Sequence, residues 1–475
     1  MTEGIALLAP RAPDAPLAWS RGTPISARRF LADVDAQAAL MEGAPPVVDL
    51  CANRYRFAVV LAAAWRRGAP ALLPPNALPG TLSRLRAAWP GLVLASDGAD
   101  GAASGLPTLP LAPCALASGA VAASDPHAAA GSAIEPAPAL PATQPAACLF
   151  TSGSTGEPQP HLKRWGALVR NARAGAQRLA ALAGLPDLAG LAIVATVPPQ
   201  HSYGLESSVM IALQGGASFD AGRPFYPADI VAALARAPRP RALVTTPFHL
   251  STLLQANLDL PPVDFVLSAT APLSPRLARE AEARFAAPMI EIYGSTETCQ
   301  VATRRTAHED TWHTFGDLQI HAERVPGPDG AGVEERFWAS GGHIEAPTPL
   351  ADVLQIEDSR HFRLLGRASD IVQVAGRRSS LAHLDFHLHS LPGVRDGAFW
   401  LPEDVPDAVV RTVAFVVAPG VEAAAILAGL RSRIEPAFLP RRIVFVDALP
   451  RAATGKLTAR ALAELASAHR DAPDR

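Results

Sequence analysis

Phe150-Thr151-Ser152-Gly153-Ser154-Thr155-Gly156-Glu157-Pro158 is the stretch whose reading decides the rest of the chain. It follows Ala147 to Thr151, a short apolar run that reads as a buried strand, and a helical pattern resumes from Trp165 to Leu182. Glycines let backbone N–H groups turn toward an anion, and the hydroxyls of Thr151, Ser152, Ser154 and Thr155 add donors. That composition suits a polyphosphate. No Gly-Lys-Ser/Thr follows at the Walker spacing, so it is not a loop of that kind. Taken alone, the same nonapeptide also fits an ordinary polar surface turn.

Working outward, strand-like and helix-like segments alternate. Asn53 to Gly68 has helical spacing and ends on a glycine suited to a C-cap, and VLASD from Val93 is a strand candidate. Downstream, LAIVATVPP, RALVTTP, DFVLSAT and PMIEIYG read as strands, with helices between them at Ser207 to Gly215, HLSTLLQA and Pro275 to Phe285. Such alternation predicts an α/β fold with largely parallel, doubly covered sheets. After Thr311 strands dominate, as in ERFWAS and FRLLG, which predicts a smaller β-rich lobe. A composition shift near Gly366-Arg367 then opens a separate α+β pattern. The expected division is a large N-terminal domain, residues 1–366, and a small C-terminal one, residues 367–475. Gly98 to Pro145, rich in Ala, Gly, Ser and Pro, reads as a loop-rich stretch of low complexity.

Composition removes several classes. With 42 Lys+Arg against 44 Asp+Glu, the net charge of −2 argues against general nucleic-acid binding. The chain is 49% hydrophobic, but its apolar runs, Phe57 to Trp65 and Leu188 to Pro199, fall short of the ~20 residues of a spanning helix. The N-terminus lacks a basic segment before its apolar stretch, so a signal peptide is not expected. A soluble cytoplasmic enzyme, without membrane insertion, is the expectation. Cys51, Cys114, Cys148 and Cys299 are scattered, which reads as reduced thiols rather than a disulfide frame or zinc site.

Further segments carry chemistry. Tyr293-Gly294-Ser295-Thr296-Glu297 follows an apolar strand, where α/β sheets bind ligands, and Glu297 suits Mg²⁺. As an isolated glutamate it reads first as a solvated turn residue. Pro450-Arg451-Ala452-Ala453-Thr454-Gly455-Lys456 presents a lysine on a glycine-containing loop, able to neutralise a phosphate. Lys163 and Lys456 are the only lysines in the chain, so both positions stand out. His383, His387 and His389 cluster on one helix but lack a further ligand, and read as a solvated face.

Together TSGSTGEP, YGSTE and PRAATGKL resemble the adenylate-forming superfamily of acyl- and aryl-CoA synthetases, nonribosomal adenylation domains and luciferases. Pro199-Gln200-His201-Ser202-Tyr203-Gly204 is similar to its segment beside the acid pocket, and Gly366-Arg367-Ala368-Ser369-Asp370 to its hinge signature. The resemblance runs in order from about Asn53 to Leu462. It implies that a carboxylic acid attacks the α-phosphate of ATP, that Mg²⁺ assists, and that the C-terminal domain then turns about a hinge at Ser369. A phosphopantetheine thiol next takes the acyl group. The details look most like ligases of bacterial secondary metabolism that load an acyl carrier protein, with CoA as the alternative acceptor and a non-catalytic relative as a further one. Acid identity and oligomeric state stay open.

Carried over by motif, Thr151, Ser152, Gly153, Ser154, Thr155 and Gly156 would cradle the phosphates, and Ala269, Thr270 and Ala271 would line the adenine. Tyr293, Gly294, Ser295 and Thr296 belong to the nucleotide site. Glu297 would bind Mg²⁺, Asp352 the ribose hydroxyls and Arg367 the same nucleotide. His201, Tyr203 and Gly204 would face the acid, and Lys456 would bridge its carboxylate and the α-phosphate. The sequence departs from the family at Gln159-Pro160, where Lys-Gly is usual, at Ser369 and at Leu350-Ala351. Lys163 is the candidate to replace the missing loop lysine by reach.

Overall fold

The structure is a computed structural model that describes residues 4–98, 105–117, 137–152, 158–326, 333–367, 371–374, 377–402, 412–451 and 457–469. Two sheets form the body. In the first, the strands Val93–Ala95, Val47–Asp49, Ala71–Leu73 and Pro145–Ser152 lie parallel in that spatial order, and Pro158–Arg164 returns antiparallel along the last of them. The second has eleven strands. Six of them run parallel: Met289–Ser295, Phe265–Ser268, Arg241–Thr245, Ala192–Ala195, Ser218–Asp220 and Pro16–Ser20. Antiparallel strands extend it beyond Met289–Ser295, ending at Asp352–Ile356. Parallel strands need crossovers that cover both faces, which accounts for their unbroken apolar runs.

The helix Arg54–Arg66 settles what the Phe57 to Trp65 run is for. Asn53 caps it by accepting from the N–H groups of Tyr55 and Arg56. Every residue from Phe57 to Trp65 is at most 3% exposed, in a core that holds residues of both sheets. A helix apolar all round is a buried helix, and alanine lets its neighbours come close. Trp65 packs against Trp165, the first residue of the helix Trp165–Ala183, with ring centroids 5.0 Å apart. Among the described residues, no helix is long and apolar enough to cross a membrane. All four cysteines are free and buried.

The β-rich lobe is an antiparallel sheet of Gln319–Pro326, Val333–Ser340 and Thr348–Leu350. The C-terminal part carries its own sheet, Asp396–Trp400, Val413–Val417 and Arg442–Phe445, and its own apolar core against the helices Leu381–His389 and Ala423–Arg431. The architecture is α/β, with this smaller α+β portion at the C-terminal end. Of Gly98 to Pro145, the described parts include a bridge from Leu94 to Thr108 and a strand Ala139–Pro141.

Candidate active site at the strand ends

Two hairpins, one from each sheet, meet through the side chains of Thr151, His161 and Glu297. The first joins Pro145–Ser152 to Pro158–Arg164, with Thr151 opposite Gln159 and Leu149 opposite His161. Gly153, Ser154, Thr155 and Gly156 fall outside the described residues, as does the side chain of Ser152. The second joins Met289–Ser295 to Cys299–Arg304 through Thr296-Glu297-Thr298. Ser295 and Thr298 close that turn reciprocally, each backbone N–H donating to the other's hydroxyl at 3.2 Å. A bulge at Tyr293-Gly294 tightens it. A Cβ on Gly294 would stand 2.2 Å from the carbonyl oxygen of Cys299, so only glycine fits this close approach.

His161 links the hairpins. Its Nε2 lies 2.9 Å from the Thr151 hydroxyl and 3.5 Å from Oε1 of Glu297. Burial holds the imidazole below its ordinary range, against the pull of Glu297. The Glu297 side chain is 39% exposed, so its carboxylate is open to a ligand. Sequence reasoning missed His161. Its strand lacks a motif, and only the antiparallel register turns it toward Thr151.

Lys163, two residues further along that strand, departs from the expectation that it reaches toward phosphate. It is 8% exposed and donates from Nζ to the backbone carbonyl of Glu297 at 2.6 Å. Its charge acts on Glu206, which is 2% exposed and sits on a π-helical stretch Leu205–Met210. Glu206 accepts from the Ser202 hydroxyl and, at 3.0 Å, from the N–H of Gln300. Desolvation pushes Glu206 up to about 7, and its hydrogen bonds and the Lys163 charge only partly offset this.

On the nucleotide side, the Tyr293 hydroxyl donates to Oδ2 of Asp352 at 2.7 Å. The Tyr293 ring packs between Trp312 and Phe362, at 5.7 and 5.5 Å. Asp352 pairs along the backbone with Arg367, whose side chain is outside the described residues. Ala269, Thr270 and Ala271 follow the strand Phe265–Ser268 at its C-terminal end. Thr270 has φ +79°, a left-handed conformation that a β-branched residue adopts only where its surroundings impose it. One anchor is Glu291, which accepts the N–H of Leu273 at 2.9 Å.

On the acid side, the Tyr203 hydroxyl sits across two parallel strand ends, 3.1 Å from the Thr245 carbonyl and 3.0 Å from that of Leu267. His201 is half-buried and precedes the helical turn Ser202–Gly204. Gly204, the third residue placed beside the acid, is buried, and a Cβ there would lie 1.9 Å from the Pro198 carbonyl oxygen, so close packing also requires glycine here. Arg54, fully buried, ties these strand ends together by donating to the carbonyls of Ala195, Val197, Asp220 and Gly222.

Lys456 and Ser369 lie outside the described residues. The neighbouring Arg451 forks onto Asp396 at 2.8 and 2.7 Å. Of the three clustered histidines, His383 is exposed, with its ring 4.5 Å from that of His387. His389 is half-buried rather than solvated, and accepts the N–H of Gly397 at 3.1 Å. Among the described residues, no group of three His, Cys, Asp or Glu could hold a metal.

The hydroxyl of Thr151 and the open carboxylate of Glu297 lie on either side of the same His161 nitrogen. That donor set fits ATP phosphates with Mg²⁺, which prefers one or two carboxylates plus phosphate oxygens.

Comparison with known proteins agrees. The model for AMP-binding enzymes matches residues 8–323, and that for the AMP-binding enzyme C-terminal domain matches residues 388–456. A 4-coumarate–CoA ligase of Rhodobacter capsulatus is 30% identical over 305 residues, 63% of this chain and 72% of its own length. An isonitrile lipopeptide synthase of Streptomyces coeruleorubidus is 29% identical over 204 residues, 38% of this chain. The match spans 14% of that synthase, and another match spans 54% of a 4-coumarate–CoA ligase from Halorhodospira halophila. Among solved structures, ATP-bound MatB from Rhodopseudomonas palustris superposes with TM-score 0.75 at 20% identity, covering 96% of this chain and 97% of its own. The o-succinylbenzoate CoA synthetase of Bacillus subtilis does so with TM-score 0.75 at 18% identity, covering 95% and 96%.

Proposed function

Because the chain belongs to the AMP-binding enzyme family, whose models match residues 8–323 and 388–456, we propose that it is an AMP-forming acid–thiol ligase. A substrate carboxylate oxygen attacks the α-phosphorus of ATP. The bond to the bridging oxygen breaks, and pyrophosphate leaves. A phosphopantetheine thiol then attacks the acyl carbon of the adenylate, and AMP departs. The observation that carries this reading is the convergence of Thr151, His161 and Glu297 from two hairpins far apart in sequence.

In this reading Thr151 and the rest of its loop, Ser152 to Gly156, hold the β- and γ-phosphates. Glu297 holds Mg²⁺, which when bound neutralises charge that develops on the phosphates. Tyr293 orients Asp352 toward the ribose, Arg367 supports the same nucleotide, and Thr270 with its neighbours receives the adenine. Ser295 and Thr298 keep the Glu297 turn closed, and Thr296 lies beside the same nucleotide. His201 and Tyr203 border the acid. Lys456 brings the cation that the substrate carboxylate and α-phosphate share, in a C-terminal domain that starts at residue 367 and turns about Ser369.

The acceptor we favour is the thiol of an acyl carrier protein. The match to an isonitrile lipopeptide synthase supports it, and the matches to CoA ligases favour CoA as the second reading. The test is acid-dependent exchange between ATP and pyrophosphate over a panel of aryl and aliphatic acids. Exchange with at least one acid is expected, and Lys456→Ala should lower it at least ~100-fold with ATP binding retained. Absence of exchange with every acid overturns the enzyme reading. Adding CoA or a phosphopantetheinylated carrier to the loaded enzyme then separates the acceptors.

A further inference from the structure

Lys163 is unusual in its own chain. Of 42 basic residues only two are lysines, and this one, on the strand Pro158–Arg164, is 8% exposed. A buried ammonium costs several kcal/mol of desolvation unless charge and hydrogen bonds compensate it. Two groups do so. Nζ donates to the Glu297 carbonyl at 2.6 Å, and the charge of Lys163 acts on the buried carboxylate of Glu206. The Cys299 thiol, also buried, interacts with both. A compact ammonium on a flexible stem fits this gap, where a planar guanidinium would need room for five donors.

The segment gripped in this way is the turn that presents Glu297. Cys299, at its end, has φ +61°, a conformation that needs support from its surroundings. The support comes from several sides. His343 contacts the Thr298 carbonyl through Nε2 at 2.8 Å. Asn171 donates to the Gln300 carbonyl at 3.2 Å, and Glu206 accepts the Gln300 N–H at 3.0 Å. Lys163 alone among these side chains bonds the backbone of Glu297 itself. We propose that Lys163 is a positioning residue for metal binding: its bond to the Glu297 carbonyl fixes the main chain there so that the carboxylate faces Mg²⁺ on the side of Thr151. This inference rests on the assignment of Glu297 as the Mg²⁺ ligand.

The test compares wild type, Lys163→Met and the double variant Lys163→Met/Glu206→Gln. The single variant removes a positive charge that acts on the buried Glu206 and is expected to lose stability. The double variant removes both charges and is expected to fold, yet it still lacks a donor to the Glu297 carbonyl. Binding of a fluorescent ATP analogue is titrated against Mg²⁺, with a parallel titration in EDTA. Supporting groups behind a metal ligand typically change metal affinity 10–100-fold. The Mg²⁺ midpoint of the double variant should therefore rise about 10-fold or more, with metal-free binding of the analogue unchanged. A folded double variant with the wild-type Mg²⁺ midpoint overturns the proposal. So does an equal loss of metal-free binding, which would make Lys163 a general structural residue. A wild type that binds the analogue with Mg²⁺ but fails every exchange assay removes the ligase reading and leaves the Lys163 test intact. A wild type without Mg²⁺-dependent binding overturns both.

Discussion

Glu291→Gln should separate the nucleotide loop from the rest of the active site. Glu291 is 4% exposed in its side chain and pairs at 2.8 Å with Arg304, itself 11% exposed. It also accepts the Thr306 hydroxyl at 2.6 Å and the Leu273 N–H at 2.9 Å. The substitution keeps the shape but removes the charge and turns an amide NH₂ toward these donors. Removing one partner of a buried pair costs about 3–5 kcal/mol. Arg304 keeps its place over the Trp312 ring, 4.4 Å from the centroid, which should soften the loss. About 2–3 kcal/mol is therefore expected, or a fall in melting temperature of about 2–4 °C in a chain of this size. The Leu273 bond passes from a charged to a neutral acceptor, a loss of about 1 kcal/mol. Because that bond braces the segment holding Thr270 at φ +79°, the KM for ATP should rise about fivefold, with the KM for the acid unchanged. Differential scanning fluorimetry and pyrophosphate exchange read the two effects. A destabilised variant with an unchanged KM for ATP would refute the anchoring argument, and an unchanged melting temperature would refute the energetics.

Two other substitutions probe the scaffold. Gly204→Ala places a methyl 1.9 Å from the Pro198 carbonyl, so the Pro199 to Tyr203 segment must shift. A loss of about 3 kcal/mol and a raised KM for the acid are expected, measured by urea unfolding and exchange kinetics. His343→Gln tests pH dependence. Burial, aided by the nearby charges of Lys163 and Arg170, lowers His343 from 6.5 to about 4. Between those values the unfolded chain takes up a proton that the folded one refuses, so His343 reduces stability as pH falls from 6.5 to 4. The variant should show a flatter stability profile over that window, and an unchanged slope in urea midpoints against pH would contradict the assignment.

Much of the architecture is legible along the chain because it is encoded locally. Apolar runs bounded by Pro, Gly and polar turns mark the parallel strands, and the Phe57 to Trp65 run is too short to span a membrane yet suited to a buried helix. The hydroxyl-rich turn after Phe150 and the Tyr293 to Glu297 segment stand out by composition at strand ends, where backbone donors and carboxylates are available to a ligand. Sequence also singles out Lys163, but only by its rarity. What the lysine does depends on strand register. Leu149 opposes His161 and Ala147 opposes Lys163, which directs these side chains toward a turn 134 residues further along the chain. The same holds for Gly204, where the sequence pattern suggests a substrate contact and packing against Pro198 supplies the reason for glycine. Glu206 and Glu291 look like ordinary glutamates in sequence, since nothing local marks a carboxylate for burial. Only the assembled sheets remove them from water and bring Gln300, Lys163, Leu273 and Arg304 to meet them. Local order thus determines which elements form and where ligand-binding turns occur, whereas long-range packing decides which charges are buried and what each one holds in place.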